Sequence, residues 1–373
     1  MRRDLLVTTP PAELEAGVNS IVRSIVVKRM GSEGSPKITL HSWRVRYWSF
    51  LRRVSVSNGK LKSFTVWLKI PKRDPSCRDL AQVLEDPKQR QAAHDEAKAY
   101  LDLAQVFGKA DSPDPVSFVT VLDWCPEWSV IVTLHEDLPA LTPVLRRAKR
   151  RINGLEWNHA RGAIHRAGGF LRRAHEGVPA DASQRETSRD RCIAHFDAML
   201  VTLGEDYPRW DLPESILRKS SAIRDAIRAG YSPKIPFVAT HRGVDARNLL
   251  DDGTRQVWLD PEMRIDDVAY HDLARMIATL GMIDYGGVGG FVTPILPRPW
   301  IESLNEGYGH PSWIDSRTLS AFHLYWLLDR FEDSRRMLQV QPWGPAVRIL
   351  DALYTRRFYG ALLADALQEG NFS

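Results

Sequence analysis

Three consecutive runs between residues 38 and 70, ITLHSWRVRY, FLRRVSVS and LKSFTVWLKI, are dense in β-branched and aromatic side chains. Such side chains suit a pleated, half-buried surface. Asn58-Gly59, between the second and third runs, is a hairpin signal, because a type I′ turn needs positive φ at both central positions. Strands joined this closely in sequence predict an antiparallel meander, and that commits the first part of the chain to a sheet.

The flanking texture is helical. After Pro10-Pro11, Leu14, Val18, Ile21, Val22 and Ile25 recur at helical spacing until GSEGSP breaks the pattern at residues 31–36. A long helix is predicted from about Asp86 to Phe107, with Ala93, Ala97, Tyr100, Leu101 and Ala104 as its apolar stripe and DSPDP as its stop. Two short strands follow, in SFVTVLDW and SVIVTLHE. From Leu141 onward helices dominate, including LEWNHARGAIHRAGGFLRRAHEG, which Gly177 is expected to cap. They are interrupted by strand-like FVATH, NLLDD and TRQVWLD, the last two flanking Gly253. Strands first and helices afterwards predict an α+β fold with two lobes. A small antiparallel sheet lobe with one long helix would span residues 1–138, and a larger, mainly helical lobe residues 139–373.

Charge and cysteine usage exclude some functions. A formal net charge of +5 over 373 residues is too mild to argue for nucleic acid. The local cluster Arg146, Arg147, Lys149, Arg150 and Arg151 reads as a solvated helix face, the alternative being a patch that faces an anionic substrate, RNA or a membrane surface. No run of about 18 apolar residues is present, so no membrane span is expected. Cys77, Cys125 and Cys192 lie far apart without metal-ligand spacing, which suits reduced thiols in a cytoplasm.

The chemistry concentrates in THRGVDARNLLDDGTRQVWLDPE, residues 240–262. An Asn amide and an Asp carboxylate offer the oxygen ligands that a hard cation prefers. In a hairpin turned at Gly253, Asn248 and Asp260 would fall side by side. The segment resembles the catalytic loop and metal-binding hairpin of the aminoglycoside phosphotransferase and choline kinase family, whose fold is protein-kinase-like. That family reads His-Gly-Asp, four variable residues, Asn and two apolar residues, then an Asp about a dozen residues on and a later Asp-Leu-Ala. Here His241, Asn248, Leu249, Leu250, Asp260, Glu262 and Asp272-Leu273-Ala274 stand at the matching places. The resemblance implies a two-lobed kinase holding ATP or GTP, with Asn248 and Asp260 as Mg2+ ligands and Asp272 tying the loop to the next helix. Lys69, on the third strand run, resembles the phosphate-pairing lysine of that fold, and Glu96 on the following helix resembles its partner. GGFLRRAHEG resembles the helix behind the catalytic loop.

Two departures stand out. Gly243 occupies the place of the family's catalytic Asp and has no side chain to accept a proton. Asp245, two residues on, is the substitute base, with His241 opening the loop. Between the first two strand runs, where the family is small and Gly- or Ser-rich, this chain has RVRYWSFLRR, so Arg44, Arg46, Arg52 and Arg53 would supply charge to phosphates in place of backbone amides. The expected activity is transfer of the γ-phosphate to a hydroxyl of a sugar-like or other small metabolite. The alternative is a pseudokinase that binds nucleotide or a partner protein without turnover.

Overall fold

The structure is a computed structural model. It describes residues 5–6, 10–30, 36–46, 48–58, 62–74, 77–108, 115–151, 154–206, 211–285, 296–340 and 344–372. Residues 31–35, Tyr47, Gly59 and the DSPD run at 111–114, all of which enter the sequence reading, lie outside that set.

The chain divides into two compact units that are not contiguous in sequence. The first holds residues 1–112, 117–138 and 257–264, and the second holds 113–116, 139–256 and 265–373. Against the expected break after residue 138, the segment carrying Asp260 therefore belongs with the sheet.

In the first unit, strands β1 (Leu5–Leu6), β2 (Lys37–Leu40), β3 (Arg44–Val45), β4 (Ser49–Asn58), β5 (Lys62–Pro71), β7 (Val121–Cys125) and β8 (Val130–Leu134) form one sheet. The order is β1-β3-β4-β5-β8-β7, with β2 also pairing β4. Every pairing is antiparallel. The run expected as one first strand is broken, since residues 41–43 separate β2 from β3. The β4–β5 register pairs Asn58 with Lys62, so three residues lie between the paired ends where a two-residue turn was expected. Alternation along β4 and β5 sends Phe50, Val54, Val66, Leu68 and Ile70 inward, where they meet Leu14, Val18, Val22 and Ile25 of helix α1 (Ala12–Met30). Arg52 is also turned inward. Its guanidinium donates to Glu15 Oε1 at 2.6 Å and to the His41 carbonyl at 2.6 Å, and it lies over Trp43. This corrects its place among the phosphate-facing arginines, because its donors are engaged with Glu15 of α1 and with the His41 carbonyl.

Short helix α2 (Leu80–Glu85) leads into α3 (Pro87–Phe107), capped by Asp86, whose carboxylate accepts from Lys88 N. The buried face of α3 is Ala93, Glu96, Ala97, Tyr100, Leu103 and Phe107, while Leu101 is 47% exposed. The stripe is thus rotated from the expected one, and Glu96 sits within it.

The second unit is mainly helical. It comprises α4 (Thr142–Arg150), α5 (Leu155–Gly177), α6 (Arg185–Asp206), α7 (Asp211–Gly230), α8 (Tyr270–Gly281), α9 (Arg298–Tyr308), α10 (Ser316–Val340) and α11 (Pro345–Glu369). Short strands β9 (Phe237–His241) and β10 (Leu249–Asp251) precede the turn at Gly253; β6 (Val116–Phe118), β11 (Gln256–Trp258) and β12 (Arg264–Val268) each begin at an edge of a unit. α5 includes Gly177 as its last residue and is capped by Val178. Its Gly168 faces α9 so closely that a Cβ there would run into the Leu304 carbonyl oxygen. α8 is buried along its whole length, and Tyr270 stacks on Phe322 of α10 with centroids 5.4 Å apart. In α4, Arg147 is exposed as expected of a solvated face, but Arg146 donates to the Ile283 carbonyl at 2.8 Å and Lys149 lies 3.5 Å from Asp284. All three cysteines are free thiols. Among the described residues no helix is long and apolar enough to cross a membrane.

Candidate functional site

In the first unit, Lys69 is directed to the sheet face that α3 covers, and only 8% of it is exposed. Its ammonium lies 2.7 Å from Glu96 Oε1 and donates to Asp260 Oδ2 at 2.5 Å. The other Asp260 oxygen accepts from Tyr100 OH at 3.2 Å and from Glu262 N at 3.0 Å. Burial alone would lower the Lys69 pKa, but the Asp260 and Glu96 carboxylates outweigh it and hold the ammonium well above its ordinary value. Burial pushes Glu96 the other way for an acid, up to about 7, against the pull of Lys69 and with Asp260 and Glu262 adding repulsion. Two carboxylates thus meet one ammonium here, with the Glu262 carboxylate near enough to act on Glu96. Tyr100 was read from the sequence as an apolar stripe residue. Burial and Asp260 raise its pKa, so it stays protonated and acts as a donor.

Glu262 has φ 50, in the left-handed region that side chains other than glycine rarely adopt. The Asp260 carboxylate, accepting the Glu262 N–H, closes the tight turn that holds it there.

In the second unit, β9 ends at His241 and the loop runs to a 3₁₀ turn over Ala246–Asn248. Asp272, 2% exposed, accepts from His241 N at 3.1 Å and from His175 Nε2 of α5 at 3.0 Å, and His175 Nδ1 meets Tyr308 OH at 2.8 Å. This is the tie from loop to helix that the resemblance implied, extended through α5 to α9. Thr279, two turns further along α8, accepts from Ala246 N at 3.1 Å through its hydroxyl.

Asp245 is placed differently from expectation. It caps the 3₁₀ turn, accepting from Arg247 N at 2.8 Å, and both its oxygens are taken by the Arg247 guanidinium. Burial would raise its pKa, but Arg247, with Arg330 beyond it, lowers it to about 2. A carboxylate that weakly basic and that fully engaged is a poor proton acceptor, so its geometry suits a loop brace better than a base. Asn248 donates from Nδ2 to the Gly243 carbonyl at 3.0 Å, which fixes its amide orientation. Only its other end, the oxygen, can serve as a metal ligand.

The hairpin base carries a network that sequence reasoning missed. Asp251 is fully buried and accepts from both ends of Arg166, from Gln256 Nε2 at 3.0 Å and from Gly253 N at 2.8 Å, with His159 Nε2 at 2.8 Å. These partners come from α5 and from the turn itself, so the network pins the hairpin to α5. Beside the loop lies a cavity of about 220 Å3, lined by His241, Arg242, Asp267, His271, Arg275 and Trp326 among others.

Comparison with solved structures identifies the architecture. A choline/ethanolamine kinase family protein from Mesorhizobium loti matches with TM-score 0.52 and 14% identity, over 95% of this chain and 99% of that one. The Plasmodium vivax ethanolamine kinase matches with TM-score 0.53 and 11% identity, over 95% and 88%. The chain has the choline-kinase fold. A candidate aminoglycoside phosphotransferase from Ralstonia eutropha JMP134 matches with TM-score 0.50 and 10% identity, over 94% and 98%, so the likeness extends to the wider kinase-like group. No family model and no curated protein matches the sequence. Within that fold, the α3 glutamate, the β5 lysine and the Asp260 carboxylate of this chain come together.

Proposed function

We propose that this protein is a small-molecule kinase that moves the γ-phosphate of ATP, or of GTP, to a hydroxyl of a small metabolite. The observation that carries the reading is the buried ion-pair cluster in which Lys69 meets both Glu96 and Asp260. Phosphoryl transfer depends on positioning and charge neutralisation more than on covalent chemistry. A buried lysine held in place by a carboxylate is suited to pair phosphate oxygens. The donor set fits magnesium, which is usually held by one or two carboxylates together with substrate phosphates. The Asp260 carboxylate and the Asn248 amide oxygen are the proposed ligands, and the ion would neutralise charge on the phosphates when bound. Glu96 keeps the Lys69 ammonium oriented, and the Asp272 tie keeps His241 and its loop in register. The cavity beside His241 is the proposed seat of the hydroxylated acceptor.

The test is a melting curve with and without magnesium and ATP. Saturating nucleotide at about a hundred times Kd stabilises by about 2.7 kcal/mol. The wild type is expected to show such a shift and Asp260→Ala to lose it. A wild type that melts identically with and without magnesium and ATP would end the proposal.

A second reading is a nucleotide-binding protein without turnover. It is favoured by Gly243 in the loop and by the engagement of Asp245 with Arg247. Screening hydroxylated metabolites for ATP consumption separates the two readings.

A further inference from the structure

The lining of the cavity beside the loop after β9 belongs wholly to the second unit. Three arginines reach it from three separate places in the fold: Arg191 from α6, Arg242 from the loop after His241, and Arg275 from α8. The volume of about 220 Å3 is below the roughly 300–1,000 Å3 of sites for drug-sized ligands, which suits a small metabolite.

The charges of this lining are engaged to different degrees. Its two carboxylates are buried and occupied. Asp272 accepts from His241 N and is tied to His175, while Asp267, 6% exposed, accepts from Val268 N at 2.8 Å and lies 3.5 Å from His271 Nε2. Asp329, outside the lining, is paired with His195 Nε2 at 3.2 Å. Two of the guanidiniums are far less committed. Arg191, with a side chain 58% exposed, donates to the Ser188 hydroxyl at 3.1 Å and reaches Asp267 Oδ2 only at 3.8 Å. Arg242 is exposed and makes no hydrogen bond or ion pair among the described residues. Arg275 is buried, with its guanidinium 4.6 Å from the ring centroid of Trp326, so its charge acts from the wall. Burial chiefly, with repulsion from Arg191 and Arg275 added and Asp267 and Asp272 opposing, lowers the His271 pKa. Near pH 7 that ring is neutral.

An ammonium ion would meet two solvent-facing guanidiniums and find both lining carboxylates already taken. A neutral polyol would leave the same guanidiniums to water. An oxyanion matches the planar fork of arginine, which grips carboxylate or phosphate through two parallel hydrogen bonds. Tyr325 and Trp326 supply aromatic wall for a carbon skeleton. We infer that the acceptor is itself an anion, a polyhydroxylated metabolite whose carboxylate or phosphate is paired by Arg191 and Arg242. The inference rests on the reading of this cavity as the seat of the acceptor, and it names the class of molecule that sits there.

D-gluconate, D-glucitol and D-glucamine share one open-chain polyol skeleton and carry negative, no and positive charge near neutral pH. Each is titrated into the protein by calorimetry at pH 7.5, beside D-glucitol phosphate. Saturable binding of at least one of the two anions is expected, at least tenfold tighter than D-glucitol and D-glucamine. The tighter anion identifies the oxyanion as carboxylate or phosphate. Arg191→Met and Arg242→Met, both at exposed side chains, are each expected to weaken that binding at least tenfold. Arg191→Glu combined with Arg242→Glu is expected to place D-glucamine ahead of both anions. No saturable binding of either anion by the wild type would overturn the inference. So would D-glucitol or D-glucamine binding as tightly, or an anion affinity indifferent to both methionine variants. The magnesium–ATP melting shift reports on the kinase reading separately. A wild type that keeps this shift and binds no anion loses the inference alone, and one that binds an anion without the shift keeps an anion site and loses the kinase reading.

Discussion

Two charged clusters, one in each unit, handle burial in opposite ways. Around Lys69 a buried cation is shared by two carboxylates from far apart in the chain, Glu96 on α3 and Asp260 after β11. In the loop after β9 a buried carboxylate, Asp245, is claimed by an arginine two residues away, whose own side chain is 56% exposed. The first cluster sets two carboxylates against one ammonium, and burial, with the repulsion of Asp260 and Glu262 added, raises the Glu96 carboxyl. The second is neutralised locally, and the lowered Asp245 carboxyl shows that. A site built to receive a divalent cation should offer carboxylate oxygens beyond its own ammonium, whereas a brace should be complete without a ligand. On that criterion the Lys69 cluster has the character of a binding site, and the Asp245–Arg247 pair has that of a structural brace.

The largest expected effect is in the first cluster. Lys69→Met leaves Glu96 and Asp260 facing each other in a buried place, and removing one partner of a buried ion pair costs about 3–5 kcal/mol. The sign of the pH dependence follows from Glu96. Its folded pKa, raised above the ordinary 4.5, makes stability fall as pH rises from about 4.5 towards 7, because the folded state holds the proton longer. Without Lys69 that fall should be steeper. Urea unfolding of wild type and variant at pH 5 and pH 8 checks it, and a variant equally stable at both would contradict a raised Glu96 carboxyl.

A gain in the second unit should come next. Gly243→Asp supplies the acceptor that the loop lacks, and acid–base assistance is typically worth about 10²–10⁴-fold. ATP consumption in the presence of magnesium is expected to rise about a hundredfold in this variant. An unchanged rate would mean that the loop does not limit turnover.

A smaller effect tests the brace. Asp245 has a folded pKa of about 2 against an ordinary 3.8, so it contributes stability above pH 4 that is lost as pH falls through 2. The shift corresponds to about 2 kcal/mol. Arg247→Met should remove that stabilisation and, because burial then pushes the Asp245 carboxyl up, reverse the acid limb so that stability no longer falls below pH 4, while leaving the magnesium–ATP melting shift intact. Loss of that shift in this variant would give Arg247 a role at the nucleotide that the brace does not require.

How much of this was legible beforehand depended on whether the pattern was local. Lys69 and Glu96 were found through the family resemblance, placed on a predicted strand and a predicted helix that each rest on a few neighbouring residues. The α3 stripe was read about one position off through Leu101, because hydrophobicity alone cannot say which flank of a helix meets the sheet. Asp260 and Asp272 were found through a motif with fixed spacing. Asp251 was invisible, since its partners Arg166, His159 and Gln256 have nothing in common until the hairpin meets α5. Arg52 looked like a phosphate-facing residue for the same reason, because its partner Glu15 lies on a helix that precedes the sheet in sequence. Asp245 was read as a base because an aspartate near a missing aspartate invites that reading, and only geometry shows the capping bond to Arg247 N.

The smallest effect bears on the edge of the Lys69 cluster and has the opposite sign to the other two effects on stability. Glu262 sits at φ 50, and its carboxylate adds to the repulsion that raises Glu96. Left-handed backbone costs a residue with a Cβ about 1–2 kcal/mol, while glycine gives back about 0.5–1 kcal/mol through its more flexible unfolded chain. Glu262→Gly should therefore stabilise the protein by about 0.5–1 kcal/mol and bring the Glu96 carboxyl down, which would soften the fall in stability between pH 4.5 and 7. Urea unfolding across that range reads both effects. If the variant is instead less stable, the Glu262 side chain makes contacts worth more than the backbone strain, and its carboxylate belongs to the cluster as a structural member. If it is more stable but the magnesium–ATP shift shrinks, the strain is kept because the third acid helps to attract the cation, and the first cluster is then tuned for binding at the expense of stability.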